Sequence, residues 1–251
     1  MLTQKTLDRL HQMRLWGMAE AFAAQLQKPD YQRLSFEERF GLLVDQEWAS
    51  RQNRRLARLL SQVRLRLPAC LEDVDYRHPR GLDRSLLRSL STGDWLRARQ
   101  NVLITGPTGV GKTFIACALA NAACRQGFTA RYYRVPPLLA ELGIARGDGS
   151  YPRLLNQLAR IDLLVLDDWG LAPFTDTQGR DLLEVLDDRA QARSTIVASQ
   201  LPPDHWHGLM PDPTVADAIL DRLVHNAHNI ALKGESVRRV ANQLQQSDRG
   251  G

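Results

Sequence analysis

Five short strand candidates run through the second half of the chain, separated by segments of helical composition. They are NVLIT at Asn101–Thr105, FTARYYRV at Phe128–Val135, LLVL at Leu163–Leu166, STIVAS at Ser194–Ser199 and NIAL at Asn229–Leu232. Short apolar runs of this kind read as buried strands, and their alternation with helices predicts a parallel sheet covered on both faces. Between the first two, Lys112–Gln126 has the length and alanine content of a helix. The amino-terminal residues follow a helical period instead. Leu15, Met18, Phe22 and Leu26 form an apolar stripe, Pro29 interrupts it, and Ser35-Phe36-Glu37-Glu38 is a capping box that opens a long helix. Pro68 limits that helix. Beyond it lie an acidic patch at Glu72, Asp73 and Asp75, a turn at His78–Gly81 and a short helix near Leu82–Leu90. The pattern divides the chain into an all-helical region 1–67, a linker 68–100 and an α/β domain 101–251, with no internal repeat.

Composition adds limits. The 251 residues are 43% hydrophobic, enough for an ordinary globular core. No apolar run approaches the ~18 residues of a membrane span, and charges interrupt the stretch where a signal peptide would be apolar, so a cytoplasmic location with no membrane partner is expected. Cys70, Cys117 and Cys124 make neither a disulfide framework nor a C-x-x-C site. The His205/His207 and His225/His228 pairs lack companions at zinc-ligand spacing.

The net charge of +5 points to an anionic partner, and its placement says more than its total. Of the 33 basic residues 29 are arginine, a bias that genome composition alone can produce. Between Arg51 and Arg66, however, six arginines occur with no acid among them. Arg51, Arg54, Arg55 and Arg58 share one helix face, while Leu56, Leu59, Leu60 and Val63 repeat the same spacing on another. Such a charge run is commonly a solvated face. Without interleaved carboxylates to relieve repulsion, it also suits the phosphate backbone of DNA.

The strongest chemical signal is GPTGVGKT, comprising Gly106, Pro107, Thr108, Gly109, Val110, Gly111, Lys112 and Thr113. It fits G-x-x-x-x-G-K-[ST], the Walker A pattern, and stands between a strand and a helix as that pattern requires. The glycines let backbone N–H groups and the helix N-terminus face phosphate oxygens, Lys112 reaches the β and γ phosphates of ATP, and Thr113 binds Mg2+. The second signal is LLVLDD, Leu163–Asp168. A buried strand ending in two carboxylates puts them at the carboxyl edge of a parallel sheet, where ligands of open α/β folds bind. Asp167 is expected to hold Mg2+ and Asp168 to orient and polarise the attacking water.

GPTGVGKT, LLVLDDWG, STIVASQLPPDHW, DAILDRLVHNAH and LKGESVR, in this order and spacing, resemble the IstB family over nearly the whole chain. The resemblance implies an AAA+ P-loop ATPase with a five-stranded parallel sheet, preceded by a small helical DNA-binding or oligomerisation domain. It also implies a helper that assembles as a homo-oligomer on double-stranded DNA and assists a cognate transposase in insertion-sequence transposition. Three further site residues come from it: Gln200 at the polar sensor position, Arg222 as the arginine finger offered to a neighbouring subunit, and Arg238 as the sensor arginine. Asp168 stands where many AAA+ sites have Glu. Only 19 residues follow Leu232, so a short or absent helical lid is expected. A DnaC-like helicase loader would share this core, but the arginine-striped helix favours direct DNA binding. A P-loop kinase is disfavoured by the carboxylate pair and by the arginine after DAILD. A DNA scaffold whose slow hydrolysis only resets the assembly stays open.

Overall fold

A computed structural model describes residues 2–235. The chain divides into two compact units, with the cut after Arg58. In the first, α1 (Leu2–Gln12) and α2 (Trp16–Gln27) lead through a 3-10 turn at Pro29–Arg33 into α3 (Phe36–Val63), a 28-residue helix that runs past the cut. The capping box that opens α3 forms as expected. The Ser35 hydroxyl accepts from the Glu38 N–H at 3.2 Å, and the Glu38 carboxylate accepts from the Ser35 N–H at 2.7 Å. Helix starts leave such donors orphaned unless side chains meet them. α2 crosses α3 at Gly17, where a Cβ would stand 2.6 Å from the Gln46 carbonyl oxygen and 2.7 Å from Ser50 Cβ. Only a residue without a side chain permits that approach.

The second unit takes in the end of α3 and a 3-10 turn at Leu71–Asp73, then α4 (Arg84–Ser91) and α5 (Asp94–Arg97), which bury Leu87, Leu90, Trp95 and Leu96. Asp83 caps α4 by accepting from the N–H groups of Ser85 and Leu86. Then follow β1 (Asn101–Thr105), α6 (Lys112–Arg125), β2 (Ala130–Arg134), α7 (Val135–Asp148), α8 (Tyr151–Arg160), β3 (Leu163–Trp169), α9 (Asp176–Asp187), β4 (Ser194–Ser199), α10 (Pro213–Val224) and β5 (Ala227–Ala231). The five strands are parallel in the order β2-β3-β4-β1-β5. Every residue of β1 and β4 is buried, as sheets covered on both faces demand, while the edge strands β2 and β5 are partly open. On one face Leu103, Leu166 and Val197 join Leu138, Leu142, Val185 and Ile219 in a single apolar cluster. On the other, α6 lies across β1 to β4.

Strand ends differ from the sequence expectation for identifiable reasons. β2 is shorter than Phe128–Val135, because Thr129 turns its N–H and hydroxyl to Asp162 at 2.9 and 2.7 Å and Val135 already begins α7. β5 starts two residues early, since Ala227 pairs with Asn101 at the head of β1. β3 runs past LLVL to Trp169, with a register shift against β4 between Leu166 and Trp169.

Candidate nucleotide site

The cradle follows β1 directly. Gly106, Gly109 and Gly111 have φ of 141°, 88° and 98°, values that L side chains rarely adopt. At Gly106 a Cβ would also collide with the Leu232 carbonyl oxygen. Gly111 caps α6, so the free N–H groups of that helix start point out of the loop. Lys112 folds back across the loop and donates to the carbonyls of Gly106 and Pro107, both at 2.7 Å. Burial lowers the Lys112 ammonium from the ordinary lysine value, offset in part by the charges of Asp167 and Asp168.

Asp167, 1% exposed, closes the cradle from β3. Its Oδ2 accepts from the Thr113 hydroxyl at 2.7 Å and from the Tyr132 hydroxyl at 2.6 Å, and its Oδ1 accepts from the Asp168 N–H at 2.9 Å. Burial and the Asp167 carboxylate together raise the Tyr132 hydroxyl far above the ordinary tyrosine range, which leaves it a donor. Thr113 and Asp167 thus bring two hard oxygens together, a donor set that suits Mg2+ completed by phosphate and water. Among the described residues no three His, Cys, Asp or Glu side chains gather as a metal site, so a cation here depends on that completion.

Consecutive strand residues ordinarily face opposite sides of a sheet. Asp168 escapes this rule because its φ is +60° and the register shift falls on it, so it lines the same cavity as Asp167. There its Oδ2 accepts from Arg134 Nε at 2.6 Å and pairs with Arg66 Nη1 at 3.5 Å. The Arg134 guanidinium is held above its ordinary value by this bond. The cavity, about 340 Å3, is also lined by Thr108, Lys112, Ala198 and Gln200, and by a wall of Leu67, Asp73, Asp75 and Arg80 from the segment before β1. Arg80 fixes that wall to the cradle. It is 4% exposed and donates to the Val110 carbonyl and to the Asp75 carbonyl, each at 3.0 Å. Burial lowers its guanidinium, against the opposing pull of Asp75.

A model of the IstB-like ATP binding proteins matches residues 8–245. The chain belongs to that family. An insertion-sequence ATP-binding protein of Sinorhizobium fredii is 52% identical to this IstB-like protein over 239 residues, covering 95% of this chain and 98% of the relative. An ATP-binding protein in an insertion sequence of Mycobacterium tuberculosis is 33% identical over 232 residues, covering 92% of each. Among solved structures, DnaI matches with a TM-score of 0.58 at 21% identity over 66% of this chain and 91% of that one. DnaA from Aquifex aeolicus, bound to AMPPCP, matches with a TM-score of 0.57 at 18% identity, over 73% of this chain and 56% of that one. These likenesses concern the fold, a five-stranded parallel sheet flanked by helices.

Of the residues expected at the site of the IstB-like chain, Gly106, Pro107 and the buried Val110 do not line the cavity, whereas Thr108, Gly109, Gly111, Lys112 and Thr113 of the cradle meet Asp167, Asp168 and Gln200 there. Arg222 does not join them. It sits near the end of α10, whose start is capped by Asp212 ahead of Pro213, and its backbone carbonyl accepts from Asn101 at the head of β1. The cradle follows the other end of β1, about 13 Å away at ~3.3 Å per strand residue. Arg222 Nε instead pairs with Asp187 at 2.7 Å, beside a second cavity at the amino edge of the sheet lined by Arg99, Arg189 and Arg193. Arg238 lies outside the described residues. Arg51, Arg54, Arg55 and Arg58 line one depression with Met13 and Arg14, in keeping with a shared helix face. The acid absent between Arg51 and Arg66 lies one turn upstream. Glu47 accepts from Arg51 Nε at 2.7 Å and pairs with Arg54 Nη2 at 3.4 Å. Tyr132, Arg134, Arg66 and Arg80 were invisible as site residues in the sequence, because no local motif tells which strand lies beside β3 or where the linker runs. Among the described residues no helix is long and apolar enough to cross a membrane.

Proposed function

We propose that this IstB-family protein hydrolyses ATP with Mg2+, assembles in its ATP-bound form on double-stranded DNA, and assists the transposase of an insertion sequence in target selection or strand transfer. The observation that carries the reading is the convergence of Lys112, Thr113, Asp167 and Asp168 on one cavity, in a chain whose relatives are insertion-sequence ATP-binding proteins. In the ATP complex Lys112 exchanges the Gly106 and Pro107 carbonyls for phosphate oxygens, a stronger, charge-assisted partnership. The wall of Leu67, Asp73, Asp75 and Arg80 offers room for base and sugar. Thr113 and Asp167 hold the cation, which supplies charge neutralisation at the phosphates. Asp168, once its bonds to Arg134 and Arg66 loosen, accepts a proton from the attacking water as that oxygen bonds the γ phosphorus and the bond to the β-phosphate oxygen breaks. Gln200 stands at the same cavity, able to hydrogen-bond that water. The helical region 1–67 serves DNA contact and assembly through Arg51, Arg54, Arg55 and Arg58, residues 68–100 link it to the ATPase domain 101–251, and a cytoplasmic setting suits all three partners.

Two variants and a reconstituted transposition reaction test this. Lys112→Ala is expected to lose ATP binding, whereas Asp168→Asn is expected to bind ATP and hydrolyse it at least ~100-fold more slowly, the usual worth of a positioned base. With the cognate transposase and target DNA, the parent protein raises strand transfer and Lys112→Ala does not. Hydrolysis by Lys112→Ala at the parent rate would refute the active site, and strand transfer indifferent to the protein would refute the helper role.

A further inference from the structure

We propose that Tyr132 is a positioning residue for the metal, a role it performs by holding the Asp167 carboxylate ready for the cation. The inference rests on the reading of Thr113 and Asp167 as the Mg2+ site. It starts from strand register. β2 and β3 pair Tyr132 with Val165 and Arg134 with Asp167. Paired residues of parallel strands share a face, and alternate residues do too, so Tyr132 and Asp167 are diagonal neighbours on the face that carries the cradle. A tyrosine spans that diagonal where a shorter side chain would not. The result is a 2.6 Å bond from a hydroxyl on a ring only 8% exposed to a carboxylate only 1% exposed.

The carboxylate is thereby held at both ends. The Asp168 N–H fixes Oδ1, and Oδ2 receives Tyr132 from β2 and Thr113 from the start of α6. Of these three donors, Thr113 is the one expected to face the cation itself, and the Asp168 N–H belongs to the backbone that the register shift distorts. Tyr132 is the only side chain among the three that can orient Asp167 without also binding metal. Removing its hydroxyl leaves the carboxylate able to rotate toward Lys112, which lines the same cavity, or toward Arg134, which already bonds the adjacent Asp168. Partners of this kind orient a metal's ligands, and losing one typically costs about 10- to 100-fold in metal affinity. A tyrosine serving only to fill the core would lose its hydroxyl with no consequence specific to the cation.

The test is nucleotide binding titrated with Mg2+, using a fluorescent ATP analogue and full-length protein. For the parent and for Tyr132→Phe, affinity is measured in EDTA and across a Mg2+ series, with Asp167→Asn and the double variant completing a cycle. Tyr132→Phe is expected to match the parent within about twofold in EDTA and to need about tenfold more Mg2+ for half-maximal enhancement. In the Asp167→Asn background the same substitution is expected to change nothing further. An unchanged Mg2+ requirement would overturn the inference, as would an equal loss of affinity with and without the cation, which marks a merely structural role. A parent protein whose nucleotide affinity ignores Mg2+ would overturn the metal reading itself, and the inference with it. The phenylalanine ring keeps the packing of Tyr132, and melting temperatures of all four proteins verify that each is folded.

Discussion

If Arg222 completes the site of a neighbouring subunit, the ion pair it makes here must break in the assembly, and the two energies can be compared. The Arg222 and Asp187 side chains are 27% and 60% exposed, so the pair is a surface one, worth about 1 kcal/mol or less. A guanidinium delivered to transferring phosphate contributes about 10³-fold or more, roughly 4 kcal/mol at 1.36 kcal/mol per tenfold. The finger therefore wins by about 3 kcal/mol, and the pair is a resting partner rather than a lock. Arg222→Ala is expected to bind ATP normally and hydrolyse it about 10³-fold more slowly. Asp187→Asn is expected to be no slower than the parent and up to about fivefold faster, the limit set by a 1 kcal/mol pair. The decisive assay mixes Arg222→Ala with Lys112→Ala in equal amounts on duplex DNA and follows phosphate release. Each is inactive alone, but in head-to-tail contacts about one interface in four joins the intact cradle of the first to the intact finger of the second. Recovery is expected, with about a quarter of the parent rate as its statistical ceiling, lowered to the extent that Lys112→Ala, which does not hold ATP, joins the assembly less readily. No recovery, in mixtures shown by crosslinking to co-assemble, would refute the trans arrangement and leave Arg222 an ordinary partner of Asp187.

Other consequences reach the helical unit and the cradle. Replacing Arg54 and Arg58 by alanine is expected to lower the slope of log K against log salt for duplex DNA by about 0.9 for each phosphate no longer neutralised, whatever the DNA sequence; an unchanged slope would assign DNA binding elsewhere. Glu47, 6% exposed, would be raised by burial, but Arg51 and the N–H groups of Met18 and Gly17 outweigh this and hold it below its ordinary 4.5. A carboxyl depressed on folding stabilises above its unfolded value and ceases to as pH falls through the folded one. Glu47→Gln is therefore expected to melt lower than the parent at pH 7 and to converge with it as pH falls through the lowered folded value, below 4.5. A gap that does not change with pH would contradict the assignment. Gly106→Ala meets both a φ of 141° and the Leu232 carbonyl, and is expected to cost on the order of 1–3 kcal/mol with loss of ATP binding. Gly143→Ala, on an open face of α7, is expected to raise the melting temperature through a gain of roughly 0.5–1 kcal/mol. Similar melting of the two variants would show that the cradle tolerates a side chain at Gly106.

What was legible in the sequence is what is local in the chain. The capping box at Ser35–Glu38 acts across three residues, the cradle across eight, and each apolar strand is a contiguous run, so their spacing alone predicts them. Sheet order is not local. Nothing in ARYYR says that β2 lies beside β3, yet that adjacency gives Asp167 its tyrosine and Asp168 its arginine. Arg80 was hidden for a similar reason, since a turn residue in an acidic stretch carries no mark of the Val110 carbonyl 30 positions later. Glu47 escaped for a narrower reason, because it stands one turn before the first arginine of the acid-free run. The pair Asp167–Asp168 shows the limit most clearly. LLVLDD announces two carboxylates, but strict strand alternation would send one of them to the opposite face. Both reach the cavity because Asp168 adopts a left-handed backbone, which costs a residue other than glycine about 1–2 kcal/mol. Aspartate is among the few side chains that tolerate it. Residue choice and backbone strain therefore solve one problem together at this position: the side chain that can act as a base is also one that can take the turn its neighbour requires.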